Sequence, residues 1–295
     1  MENPRSLRFG PDSITVNDGG VSYEFILLAL PGQSMTTTVL TPIKSQLKLW
    51  KKLELPKYRR QEGLLLAEGF KVVQELLKST WETKALLVME EKREQWQTFL
   101  SNIPEDIEVY GLSAKEWSNL SQDKGPEGIM ALATIPVSGD ISDIPLPGTE
   151  YLLLLYQINN PANLGAIMRT AHWFGIRTIV LSTGSVDFTN PRVVRSAMGS
   201  FFHLNIVTGV NFLEALPKIK EHCLLVGSHV RRGIPPHPCY HGAALLLGSE
   251  THGLPEEIVE MTDELWCIPG AGNAESLSLP QAGAIMIYEC RRRGV

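Results

Sequence analysis

The apolar positions of the chain fall into two regimes. Ile43, Leu47, Trp50 and Leu53 recur at helical spacing and predict an amphipathic helix that Pro56 stops. Gly63–Ala67 reads as a strand, Phe70, Val73, Leu76 and Leu77 mark a helix, and Lys84–Met89 is a second strand. Trp96, Phe99 and Leu100 suit another helix, Ser113 and Glu116 have capping-box spacing, and Gly128–Ile135 is a last strand. Together these predict a compact α/β domain over residues 44–135. Residues 136–149 carry three prolines, two glycines and no basic side chain, and predict a linker. From Tyr151 onward the pattern becomes short apolar runs near 151–156, 177–181, 204–207, 223–228, 243–247 and 265–268, with helical segments between most of them. Such alternation predicts a mostly parallel sheet covered on both faces, in a second domain over residues 150–295. Ligand chemistry is then expected in the loops that follow the strands.

Composition narrows the class. With 295 residues, 43% hydrophobic and 20% charged, the chain is globular rather than disordered or fibrous. A net charge of −5 gives no global attraction to nucleic acid or to an anionic membrane, so local charge matters more. Lys44–Arg60 holds seven basic residues (Lys44, Lys48, Lys51, Lys52, Lys57, Arg59 and Arg60) against one acid, Glu54. A run of this kind is a candidate phosphate contact, although most charge runs are only solvated faces. The four cysteines all lie at or after position 223 with no C-x-x-C pair, which predicts reduced thiols and a cytoplasmic protein. Phe25–Pro31 and Tyr151–Tyr156 are too short to span a membrane. Asp12, Asp18 and Glu24 argue against an export signal. Residues 1–43 are expected to be an N-terminal extension, and Met35 is an alternative start that would leave residues 1–34 outside the native product.

Three loops carry more than a fold requires. The first, Asn159–Thr170, is a proline-containing turn opening a helix, with Asn163 the expected N-cap. Arg169, six residues on and roughly 240° around that helix, needs its own explanation. The second, Leu247–Pro255, is an acidic turn flanked by Gly248 and Gly253, with Glu250 between them. Its glycines let backbone approach a ligand closely. The third, Ile268–Pro280, is a long loop of small residues that enters a helix at Pro280.

In order, spacing and placement these loops resemble the three motifs of the SpoU (TrmH-like) family of RNA ribose 2′-O-methyltransferases, within the SPOUT superfamily. The resemblance covers residues 151 to about 292. The basic unit before it looks like the substrate-binding domain, related to a ribosomal-protein fold, that many members carry. The resemblance implies an α/β fold with a C-terminal trefoil knot, S-adenosylmethionine as cofactor, a homodimer, and RNA bound through Lys48, Lys51, Lys52, Lys57, Arg59 and Arg60. It assigns Arg169, Asn163, Glu250, Ser276 and Ser278 to catalysis, and Leu247, Gly248, Gly253, Ile268 and Leu277 to the cofactor. The third motif departs from the family, with Ser276-Leu277-Ser278 where Ser-Leu-Asn is usual. Asn160 stands before Pro161 where relatives more often carry an acid.

Removing a proton from an ordinary guanidinium (reference pKa about 13.8) at pH 7 costs roughly 9 kcal/mol, so a base role for Arg169 requires strong local help. A charged fork on a neighbouring phosphate requires less, and the proton role stays open. Ribosomal RNA is the expected substrate, with transfer RNA or a non-catalytic ribosome-assembly role as alternatives. His237, Cys239 and His241 alternate possible ligands without a fourth, so no metal is expected. Arg291, Arg292 and Arg293 are expected to cap the last helix from solvent.

Overall fold

The computed structural model describes residues 38–137, 151–240 and 242–292 in full, with the backbone of three short strands nearer the N-terminus. Those strands, β1 (Leu7–Phe9), β2 (Ser13–Asp18) and β3 (Val21–Ile26), pair as an antiparallel meander. The other residues before 38, nearly all of the expected linker, His241 and Arg293 lie outside the described residues.

The first full unit runs β4 (Val39–Leu40), α1 (Lys44–Lys52), α2 (Pro56–Glu62), β5 (Leu64–Glu68), α3 (Phe70–Leu77), β6 (Thr83–Met89), α4 (Arg93–Leu100), β7 (Glu108–Leu112), α5 (Ala114–Leu120) and β8 (Ile129–Thr134). Its five-stranded sheet has the order β4-β7-β6-β8-β5, parallel from β4 to β6 and antiparallel at β8 and β5. Sequence patterning misses two of these strands. In β7 the run Glu-Val-Tyr-Gly-Leu hides its strand character behind Gly111, where an added Cβ would lie 3.1 Å from Val39 Cγ1 of the neighbouring strand β4. Pro56 also acts differently from expectation. The first helix ends at Lys52, and Pro56 opens α2 at its first turn, where a missing N–H costs nothing. The capping box at Ser113 and Glu116 forms as its spacing suggests, closing the start of α5.

The second unit runs β9 (Tyr151–Leu155), α6 (Pro161–Trp173), β10 (Thr178–Ser182), α7 (Pro191–Ser196), a 3₁₀ turn at Ser200–His203, β11 (Asn205–Val210), α8 (Phe212–Lys220), β12 (Leu224–Ser228), β13 (Ala243–Leu247), α9 (Glu256–Val259), β14 (Glu264–Trp266) and α10 (Leu279–Arg291). All pairings in the six-stranded sheet, ordered β11-β10-β9-β13-β12-β14, are parallel. Burial on both faces explains the unbroken apolar runs. Leu153 and Leu155 pack with α6 and α10, while Leu152 and Leu154 pack with α8 and α9. β9 and β13 are parallel neighbours far apart in sequence, and the order in which strands are added to the sheet reverses between them, which opens a crevice at their carboxyl ends.

The two units share one hydrophobic core. Trp81 meets Phe201 and Phe202 edge-on, with ring centroids 5.3 and 5.1 Å away, and Glu75 pairs with His203 Nε2 at 3.0 Å. Arg291 is not in free solvent. Its guanidinium lies 4.2 Å from the Tyr151 ring centroid and its Nε donates to Phe174 O at 3.0 Å, because the end of α10 packs back on the start of the sheet.

Candidate active site

The loops after β9 and β13 meet at the crevice. Asn163, in the first turn of α6, donates from Nδ2 to Glu250 Oε1 at 2.9 Å. This single bond joins the first and second sequence motifs across the point where the strand order reverses. Asn163 is not the N-cap. Asn160 fills that position, its Oδ1 accepting from Ala162 N at 2.9 Å and Asn163 N at 3.4 Å. An Asn directly before a Pro at the first helical position is itself the signal for this cap. The amide does there what the acid of relatives can do, and Asn163 is left free to reach Glu250.

Two glycines set how closely the parts approach. At Gly165 an added Cβ would fall 1.9 Å from Ser196 Oγ and 2.7 Å from Val193 O, so α6 and α7 touch backbone to backbone. At Gly248 it would fall 2.2 Å from Gly253 C, inside a turn closed by Ser249 N donating to Gly253 O at 3.1 Å and Gly253 N donating to Ser249 O at 2.9 Å. Gly253 adopts φ +67°, which an L side chain resists.

Arg169 is exposed, and its guanidinium has no hydrogen-bond or ion-pair partner among the described residues. Ser276 and Ser278 are exposed in the third loop, and Ser278 Oγ donates to Gln281 Oε1 at 2.9 Å. Leu277 is 46% exposed and Ile268 is half-buried, while Leu247 is buried at the end of β13. Between residues 269 and 277 no peptide group hydrogen-bonds to any described residue. That loop therefore offers a row of open donors and acceptors beside apolar side chains.

The basic segment divides. Lys48, Lys51, Lys57 and Arg60 are exposed and Lys52 is partly so, with Lys52 and Lys57 lying 4.9 and 5.9 Å from the Tyr58 ring centroid. Lys51 is held by Glu54 at 2.6 Å. Arg59 departs from expectation, because it is 1% exposed and points into the junction of the two units. It donates from Nε to Thr189 Oγ1 (2.8 Å), from Nη1 to Leu53 O (2.9 Å) and Glu54 O (2.8 Å), and from Nη2 to Asp187 Oδ2 (2.7 Å). A side chain with four donors committed inside the protein is not an RNA contact. Burial pushes the Asp187 carboxyl up, but hydrogen bonds from Thr189 and Arg59 outweigh this and hold it below the usual range. Sequence reasoning named neither Asp187 nor Thr189, and the charge run hid the separate role of Arg59.

At the far side, His237 Nε2 and Trp266 Nε1 each lie 2.8 Å from Glu264 Oε2. Among the described residues no group of three or more His, Cys, Asp or Glu side chains could hold a metal ion.

This is an α/β protein of parallel-sheet type with a polar crevice at its strand-reversal point. Residues 150–288 match the SpoU rRNA Methylase family and residues 44–131 match an MRM3-like substrate binding domain. The 23S rRNA (guanosine(2553)-2′-O)-methyltransferase RlmP of Bacillus subtilis is 32% identical over 83% of this chain and 96% of its own length. Among solved structures, a TrmH-family chain from Porphyromonas gingivalis is 30% identical, with a TM-score of 0.73 over 86% of this chain and 100% of its own. An AdoMet-bound rRNA methyltransferase from Sinorhizobium meliloti is 25% identical, with a TM-score of 0.72 over 87% of this chain and 98% of its own. The chain belongs to the SpoU rRNA methylase family.

Proposed function

We propose that this protein transfers a methyl group from S-adenosylmethionine to a ribose 2′-oxygen in RNA, ribosomal RNA in preference to transfer RNA. The observation that carries the reading is the Asn163–Glu250 hydrogen bond, which braces two loops at the crevice on the same helix as Arg169, whose donors are open. The 23S rRNA ribose methylation named for the Bacillus relative supports the substrate class.

The third loop fits the cofactor. Its unpaired peptide groups suit the polar edges of an adenosyl group, Leu277 and Ile268 supply apolar surface, and Gly248 and Gly253 keep the approach free of side chains. Leu247, Gly248, Gly253, Ile268 and Leu277 would hold it. When bound it supplies an activated methyl carbon, so the protein's task is alignment and charge stabilisation. Arg169 grips a phosphate next to the reacting ribose and stabilises negative charge developing on its oxygen. Asn163 and Glu250 keep α6 and the second loop in register, and Ser276 and Ser278 shape the surroundings of the arginine. Lys48, Lys51, Lys52, Lys57 and Arg60 grip the RNA backbone.

The functional units are residues 44–135 and 150–295, joined by a linker. The active form is a homodimer, supported by exposed apolar side chains near the α6–α10 contact: Trp173 is 83% and Tyr288 50% exposed. A trefoil knot is supported by the loop after β12, which bonds both to β14 (Ile234 N to Leu265 O, 2.8 Å) and to the last helix (Cys239 N to Cys290 O, 3.0 Å). Four free cysteines support a cytoplasmic setting, and among the described residues no helix is long and apolar enough to cross a membrane.

The test is transfer of a labelled methyl group from S-adenosylmethionine to unmodified ribosomal and transfer RNA pools, with Arg169→Ala as control. Label that resists alkali at one linkage in ribosomal RNA and is lost in the variant is the expected result. Binding of RNA without label in either pool would overturn the reading in favour of an assembly factor.

A further inference from the structure

Arg59 sits on α2 between Lys57 and Arg60, yet its guanidinium points away from them into the other unit. It meets a preformed receptor there. Asp187 Oδ1 accepts from Thr189 N (2.9 Å) and Thr189 Oγ1 (2.6 Å), which leaves Oδ2 for Arg59 and turns the Thr189 oxygen toward the Arg59 Nε. Asn190, next in the chain, caps α7 through Arg192 N at 2.9 Å. Helix α7 then lies against α6 at Gly165, and α6 carries Asn163 and Arg169. The path from the exposed basic side chains to Arg169 therefore runs through capped helices and saturated hydrogen bonds.

The apolar part of the junction, Trp81 against Phe201 and Phe202, supplies adhesion with little directionality. A guanidinium with four fixed acceptors does the opposite. A buried ion pair adds little net stability over a well-packed apolar contact but specifies one geometry.

We propose that Arg59 is a positioning residue: its bridge from α2 to Asp187 and Thr189 fixes the span between the RNA-gripping side chains and the reacting ribose, and so selects which nucleotide is methylated. The inference rests on the ribose-methyltransferase reading above. Alignment is the step that suffers, because a displacement of about 1 Å at a reacting centre can cost on the order of 100-fold in rate.

The test compares full-length wild type with Arg59→Met, Asp187→Asn, the double variant and the milder Thr189→Val, which keeps shape and removes the hydroxyl that accepts from Arg59 and donates to Asp187. Single-turnover methyl transfer, the modified position, RNA affinity and interdomain distance between spin labels at exposed positions 124 and 177 are measured. Arg59→Met and Asp187→Asn are expected to slow transfer at saturating RNA by about 30-fold or more. They should spread label to flanking nucleotides, broaden the distance distribution and leave RNA affinity within about threefold, with the double variant no worse than either single one. Thr189→Val should show the same pattern more weakly, and it remains informative if Arg59→Met fails to fold. Weakened RNA affinity with an unchanged saturated rate, or an unchanged product position and distance distribution, would overturn the proposal. A wild type that methylates no RNA would refute the methyltransferase reading instead, and the distance distributions would still decide whether Arg59 sets the orientation.

Discussion

The junction of the two units and the carboxyl edge of the parallel sheet each turn on an arginine, and the two are treated in opposite ways. Arg59 is buried, with four hydrogen bonds and a carboxylate partner. Arg169 is exposed with none among the described residues. A buried guanidinium must have its donors satisfied from within, because desolvating them unpaired would cost several kcal/mol. An arginine that acts on substrate must keep its donors open and have its backbone fixed by other means. Here those means are the Asn160 cap, the Gly165 contact and the Asn163–Glu250 bond.

The comparison breaks most visibly at Arg169. Arg169→Ala should lower methyl transfer by on the order of 1,000-fold with little change in thermal midpoint, since the exposed guanidinium has no hydrogen-bond or ion-pair partner among the described residues to lose. Arg169→Lys keeps the charge but loses the fork, and single-turnover kinetics should find it far nearer to alanine than to wild type. Retention of most of the rate by lysine would rule out the fork. Next in size is Gly165→Ala. Its new methyl group would meet backbone at Val193 O and Ala197 N as well as Ser196 Oγ, so calorimetry should show a loss of about 1–3 kcal/mol. Adding Ser196→Ala should not restore it, because the backbone atoms remain.

These sites were unequally legible from sequence. The strands of the parallel sheet stood out because both faces are buried, so that Tyr151–Leu155 and Ala243–Leu247 are unbroken apolar runs. The loops after them were legible because glycine, proline and asparagine there answer to backbone needs that few other residues meet. Strand β7 was not, because a glycine at 111, packed tightly against the Val39 and Glu90 side chains, interrupts its pattern. Arg59 was misjudged for a related reason. Charge density is a property of a segment, whereas the direction of one guanidinium depends on Asp187 and Thr189, 128 and 130 residues away. The pairing of Asn163 with Glu250, 87 residues apart, was likewise visible only as two separate motifs.

A smaller effect is expected where the crevice is braced. Asn163→Ala removes the bond to Glu250 while the Asn160 cap remains, so α6 should stay folded. A lost hydrogen bond to a charged acceptor at an exposed site corresponds to about 1.5 kcal/mol, or roughly tenfold in kcat. Asn160→Ala should do the reverse. It removes a cap worth about 1 kcal/mol and should lower the thermal midpoint.

The smallest expected effect returns to the junction, at Glu75. Burial pushes its carboxyl up, but hydrogen bonds from Lys71 and His203 and the nearby charges of Lys78 and Lys71 outweigh it and bring its pKa down to about 2. A carboxylate whose folded pKa lies below its unfolded value stabilises the fold fully above the unfolded value and loses that contribution as pH falls through the folded one. The stabilisation from Glu75 should therefore be intact at neutral pH and decline from about pH 4.5 toward pH 2. Glu75→Gln should narrow the gap in thermal midpoint to wild type over that window, read by scanning calorimetry in low salt. Because Lys71 and Lys78 reach Glu75 from α3 and its end, while His203 bonds to it from the other unit with His172 stacked behind, His203→Gln should remove just part of the difference. If His203→Gln removed all of it, the helix-internal lysines would contribute nothing. Glu75 would then be, like Arg59, a contact made for the junction rather than for its helix.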